Sequence, residues 1–161
     1  MSMNVALFMI LSGMCLIPAL VSGAISDFRD RTFPFKYWEW PAKIGGIVTF
    51  IAYLYMYSSG WYSWIVWLIL VSVVLSLVFY AMGLRFGSGG DWRALIYIAL
   101  ICPLLIIQTC VFSIFAGSVL AIWVMMNRDD LVPAQYRSVP FAVAILAGFL
   151  VSMLMAIVLW V

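Results

Sequence analysis

An all-α, polytopic membrane fold is what this chain predicts, and three observations predict it. Of its 161 residues, 68% are hydrophobic and only 9% are charged, with a mean hydropathy of +1.20. That leaves too little polar surface to cover a water-soluble globule. The apolar residues fall in long runs, close to the ~20 residues a helix needs to cross a bilayer. Finally, all eight Lys and Arg residues are confined to three short segments between those runs. Inside lipid every backbone N–H and C=O must be satisfied by the segment itself, so such runs become helices. The length allows a single membrane-embedded domain over residues 1–161 and no separate soluble domain.

Helix one is expected from about Val5 to Ile25. No basic residue precedes it, so it reads as a retained span and not as a removable signal peptide. Pro18 inside it is tolerable, because neighbouring helices can satisfy the backbone group a proline frees. Ser26 to Lys43 then mixes Asp27, Arg29, Asp30, Arg31, Lys36, Glu39 and Lys43 with Phe33, Phe35, Tyr37, Trp38 and Trp40, an interfacial loop with an aromatic belt. Helix two follows from about Ile44 to Tyr57, short enough to extend into its flanks. Ser58, Ser59 and Gly60 turn the chain into helix three, Trp61 to Met82, and the glycine-rich break from Gly83 to Arg93 ends it. Ala94 to Met126 carries no charge and is long enough for two helices if a turn falls near Gln108 and Thr109. A last loop holds Asn127, Arg128, Asp129, Asp130, Pro133, Gln135 and Arg137, and helix six runs from about Pro140 to Val161.

Charge tests this six-helix bundle. If the helices alternate in direction, the loops after helices one, three and five share one side, and they contain every Lys and Arg of the chain. The positive-inside rule makes that side cytoplasmic and puts both termini outside a cell membrane crossed several times. A single span over Ala94–Met126 would strand Arg128 and Arg137 on the wrong side. Small residues at i, i+4 spacing mark where helices can approach: Ser72 and Ser76, then Ser113, Gly117 and Ala121, then Ala144 and Gly148.

The residue inventory narrows the chemistry. With no histidine and with Cys15, Cys102 and Cys110 isolated in apolar runs, the chain lacks the parts of a Ser-His-Asp triad, an activated thiolate or a zinc site, and no cofactor is expected. A net charge of +2 confined to loops is topological and is no nucleic-acid surface. Hydrolysis would fall to carboxylates. Asp27 ends helix one and Asp91 opens helix four, so both sit at the same membrane edge, within reach of water, lipid and a protein substrate. Two carboxyls brought together share a proton, one taking the proton of a water molecule while the other polarises a scissile carbonyl. An Asp beside an Arg at a helix end is ordinarily a solvated charge. Gly87, Gly89 and Gly90 set Asp91 apart, because a backbone without Cβ atoms lets an extended substrate strand come close. Among the other acids, Glu39 is a candidate for binding a basic residue of a substrate, Asp30 follows Asp27 by one turn, and Asp129 and Asp130 are sequence neighbours whose side chains diverge.

Gly23-Ala24-Ile25-Ser26-Asp27-Phe28-Arg29-Asp30-Arg31 and Gly87-Ser88-Gly89-Gly90-Asp91 resemble the two aspartate motifs of the type IV prepilin peptidases, and the archaeal preflagellin peptidases most of all. Those are six-helix GxGD-type membrane aspartic proteases, with one aspartate after helix one and the other before helix four. Tyr136-Arg137-Ser138-Val139-Pro140-Phe141 is also similar to the family's lead-in to helix six. One departure is that Ser88 stands where GxGD has its first glycine, with Gly87 one residue earlier. The resemblance implies catalysis by Asp27 and Asp91 and cleavage of a short basic leader from pilin-like or archaellin precursors at the cytoplasmic boundary. It also implies a peptidase-only member, lacking the cysteine-bearing region with which larger relatives methylate the new amino terminus. Two other classes compete: a small transporter or channel, which would carry polar groups near the midplane instead of at one edge, and a non-catalytic assembly subunit, in which both aspartates would be dispensable.

Overall fold

The structure is a computed structural model that describes residues 3–30, 38–86, 89–126 and 141–160. Six helices and no strand occur among the described residues: α1 (Met3–Asp30), α2 (Glu39–Ser58), α3 (Tyr62–Phe86), α4 (Gly89–Ile101), α5 (Ile106–Met126) and α6 (Phe141–Trp160). Four of them, α1, α3, α5 and α6, are long and apolar enough to cross a membrane. Large apolar side chains such as Phe115 and Leu77 point away from the protein, as expected of a bundle whose solvent is lipid.

Helix ends differ from the sequence expectation in three places. No proline or glycine interrupts residues 24–33, so α1 continues past its apolar stretch and carries Asp27 on its last turns instead of in a loop. The start of α2 lies at Glu39, five residues before Ile44, because a Glu39–Lys43 pair one turn apart supports a polar first turn and Pro41 sits where a helix tolerates it. The turn between α4 and α5 falls at Cys102–Leu105, so Gln108 and Thr109 belong to the first turn of α5. Pro103 explains this: it has no N–H to donate and disfavours helical geometry at the preceding residue. At the end of α2, Gly60 adopts φ +76°, and the Gly60 and Trp61 N–H groups bond back to the Tyr57 and Met56 carbonyls at 3.0 and 2.9 Å. That closure requires a left-handed residue, which glycine supplies without strain.

The core is built around α4. Ile98 and Ala99 are sealed from solvent together with Leu16 and Leu20 of α1 and Ile145 and Phe149 of α6. The closest helix pair is α5 with α6. A Cβ on Gly148 would meet the Ser113 backbone nitrogen at 2.6 Å and the Thr109 carbonyl oxygen at 2.8 Å, and one on Gly117 would touch Ala144 at 3.7 Å. The small-residue spacing on these two helices is therefore an interface. Trp38 departs from the aromatic-belt expectation: it is fully buried and stacked on Tyr97 of α4, with ring centres 5.5 Å apart, whereas Trp40 is exposed.

With 13 residues, α4 is only about 20 Å long, shorter than the ~30 Å hydrocarbon layer. Its C-terminal turn is accordingly enclosed by protein, with Cys102 and Leu105 wholly buried. The Ile101 carbonyl has lost its helical partner there, because the Leu105 N–H turns to the Cys102 carbonyl at 2.9 Å. Two hydroxyls replace that partner: Thr49 of α2 donates to Ile101 O at 2.7 Å and Ser12 of α1 at 3.3 Å. Without water to accept the debt, an orphaned carbonyl at this depth would cost roughly 1–3 kcal/mol.

Candidate active site

At the opposite end of α4 the polar groups are acids. Asp27 is half-buried, and its Oδ2 accepts a 3.0 Å hydrogen bond from the Ala142 N–H, at the second residue of α6. The first N–H groups of a helix have no acceptor within it, and the helix dipole concentrates positive potential there. Asp27 thus supplies an acceptor, from a different helix, for the first turn of α6.

Asp91 lies in the first turn of α4, ahead of the apolar stretch that begins at Ala94. Its carboxyl is raised from the usual 3.8 to about 6, first because burial penalises its charge and second because Asp27 is near enough to repel it. The fold thus places the two aspartates within electrostatic reach of each other in different surroundings, Asp27 accepting a backbone N–H and Asp91 withdrawn from water. A buried carboxyl with an acid for a neighbour is a candidate for acid–base work. Gly83 keeps the end of α3 close: a Cβ there would lie 3.2 Å from Trp92 Cβ, so the residue after Asp91 packs against α3.

The remaining sequence candidates fall elsewhere. Gly89 and Gly90 are the first two residues of α4, helical instead of part of an extended loop, and Gly87 lies outside the described residues. Glu39 begins α2 on the surface and is bonded to Lys43 Nζ at 2.7 Å, a contact that lowers its carboxyl from the ordinary value. Lys43 also sits 5.2 Å over the Trp40 ring, so these three form a local surface cluster. Asp30 is the last residue of α1, while Asp129 and Asp130 lie outside the described residues. The backbone N–H of Ala142 is a site group that sequence reasoning did not anticipate, since every helix start offers such donors and nothing in the sequence says which acid will meet them. Thr49 left a faint trace as a lone hydroxyl in an apolar run.

Comparison with protein-family models, with curated proteins and with solved structures finds no match to this chain. The functional reading therefore stands on the site itself.

Proposed function

We propose that this protein is a membrane aspartic endopeptidase that removes short basic leaders from pilin-like or archaellin precursors, with Asp27 and Asp91 as its catalytic pair. One observation carries the reading: two carboxyls from separate helices lie within electrostatic reach at one end of the bundle, Asp27 accepting a backbone N–H and Asp91 favoured in its protonated form by burial and by Asp27. Ionised Asp27 takes the proton of a water held between the acids, Asp91 donates to the scissile carbonyl, and the hydroxide adds to the carbon. Asp27 then passes its proton to the nitrogen of the tetrahedral intermediate, the C–N bond breaks, and Asp91 recovers a proton from a hydroxyl of the intermediate as the carbonyl re-forms, giving a free amine and a carboxylic acid.

Six membrane crossings complete the proposal, the fourth made by the 13-residue α4 together with the enclosed Cys102–Leu105 turn that follows it. The charged segments, and the acids with them, face the cytoplasm, and both termini face outward. That orientation suits a substrate whose basic leader stays in the cytoplasm while its apolar helix lies in the same bilayer. Charge clustered at one edge fits a transporter or channel less well. The decisive experiment incubates purified, lipid-reconstituted protein with leader-bearing precursors. A shortened product from the wild type, absent from Asp27→Asn and Asp91→Asn, is expected; uncleaved precursor across a broad substrate panel would remove the peptidase reading.

A further inference from the structure

The acids share one end of the bundle, but α1 and α4 are tied to each other far from it. Ser12, Gly45, Thr49, Ile101 and Cys102 form a buried junction of α1, α2 and the end of α4. Ser12 Oγ lies 3.3 Å from Ile101 O and 3.7 Å from Cys102 Sγ. Thr49 Oγ1 divides its contact between the Gly45 carbonyl at 2.9 Å and the Ile101 carbonyl at 2.7 Å. Gly45 makes the approach possible, since a Cβ there would meet Ile101 Cγ2 at 2.9 Å and the Ser12 carbonyl oxygen at 3.3 Å. Because Pro103 breaks the chain just beyond, α4 receives no continuous helical support from α5. Its C-terminal end is positioned instead by these side-chain donors.

Packing holds α4 along its length, with Trp92 against Gly83 of α3 near the acid end, and the hydroxyl donors fix where its other end sits. Asp91 stands ten residues from Ile101, about 15 Å along the axis. A tilt of about 5° at the junction would carry Asp91 roughly 1.3 Å, and displacements of about 1 Å cost reacting groups on the order of 10²-fold in rate. We propose that Thr49 and Ser12 are positioning residues, whose hold on the Ile101 carbonyl sets how closely Asp91 approaches Asp27. The kinetic part of this inference rests on the peptidase reading; the geometric part does not.

The test follows the Asp91 carboxyl itself, by infrared titration of protein in lipid nanodiscs with isotope-labelled aspartate, assigned by difference against Asp91→Asn. Among the described residues, Asp27, Arg29 and Asp30 on α1, Glu39 and Lys43 on α2, Arg85 on α3 and Arg93 on α4 are the other charged groups of the elements toward this end, and all stay unchanged in the variants. Thr49→Val keeps the shape and removes the donor. It is expected to move the Asp91 midpoint down by about half a pH unit as Asp27 recedes, and to lower kcat by roughly 10-fold with KM within about twofold. Thr49→Ser restores the hydroxyl and should restore both. If Thr49→Val does not fold, Ser12→Ala, which removes the longer bond, is read in the same way. A folded variant with an unchanged or raised midpoint overturns the proposal. If the wild type cleaves no precursor, the peptidase reading falls while the titration still decides whether the junction positions Asp91.

Discussion

At the Ile101 end of α4 a carbonyl that lost its helical partner has gained two hydroxyls and is closed off from solvent; at the Asp91 end a carboxyl is half-buried beside another acid, with burial and repulsion both opposing its charge. The first arrangement answers the demand of the Ile101 carbonyl. The second leaves a demand open, and that is where chemistry is expected, since local rules are broken at sites that function uses. The two ends should therefore respond with opposite sign in stability when their polar groups are removed, while activity falls at both.

The largest expected effect is at the acid end. Asp27→Asn and Asp91→Asn should each reduce precursor cleavage by at least about 10³-fold, and the double variant should be no worse than either, because groups that act as a unit lose their effect together. Quantitative gel or mass-spectrometric assays of folded, membrane-inserted protein read this directly. Near-wild-type cleavage by either single variant would strip the peptidase proposal of its chemistry.

Stability separates the ends next. A carboxyl whose folded value is raised adds stability that is fully present below its ordinary value of 3.8 and is lost as pH rises through about 6. Asp91→Asn is neutral at every pH. At pH 7.5 it should therefore unfold later than wild type by an amount equivalent to roughly 1–3 kcal/mol, and the difference should vanish below pH 4. Thr49→Val at the other end should cost about 1–3 kcal/mol through the carbonyl it leaves short of a partner. Thermal unfolding in detergent at both pH values compares the two, and shifts of the same sign would erase the distinction between them.

Activity should follow the same proton. The proposed reaction needs Asp91 protonated while Asp27 stays ionised, so kcat/KM should be highest at or below about pH 6 and fall about tenfold per pH unit well above it. Protonation of Asp27 would close the acidic side. A profile flat from pH 5 to 8 would mean that this pair does not govern the rate.

How much of this the sequence disclosed depended on whether the cause was local. Apolar runs and charged breaks announced six helices, and Ser113, Gly117, Ala144 and Gly148 announced the α5–α6 contact, because lipid exposure and close backbone approach leave a composition behind. Both aspartates stood out at helix ends. The α4–α5 turn was misplaced toward Gln108 and Thr109 because polarity was weighed above Pro103, whose missing N–H decides the matter. Trp38 looked like a membrane-interface anchor because burial against Tyr97 is a tertiary event with no periodic trace. The Ala142 N–H and the Ile101 carbonyl carry no side-chain signature, so their partners emerge only when the helices are assembled.

Glu39 gives the smallest effect and the sharpest contrast with Asp91. Each is an acid in the first turn of its helix, where the dipole favours a negative charge. Glu39 is exposed and has Lys43 beside it, so its carboxyl is held below the ordinary value, whereas Asp91 is half-buried, has an acid nearby, and is held above. Position in a helix is therefore not what distinguishes them; the neighbour and the solvent are. Glu39→Gln removes a charge that already has a partner on the surface, and cleavage of a Lys-bearing precursor is expected to stay within about twofold of wild type, as surface pairs are screened by water. Steady-state rates at two salt concentrations provide the check. A loss of tenfold or more, strongest at low salt, would show that Glu39 releases Lys43 to meet the basic leader, and would make it the substrate-binding acid that its sequence position suggested.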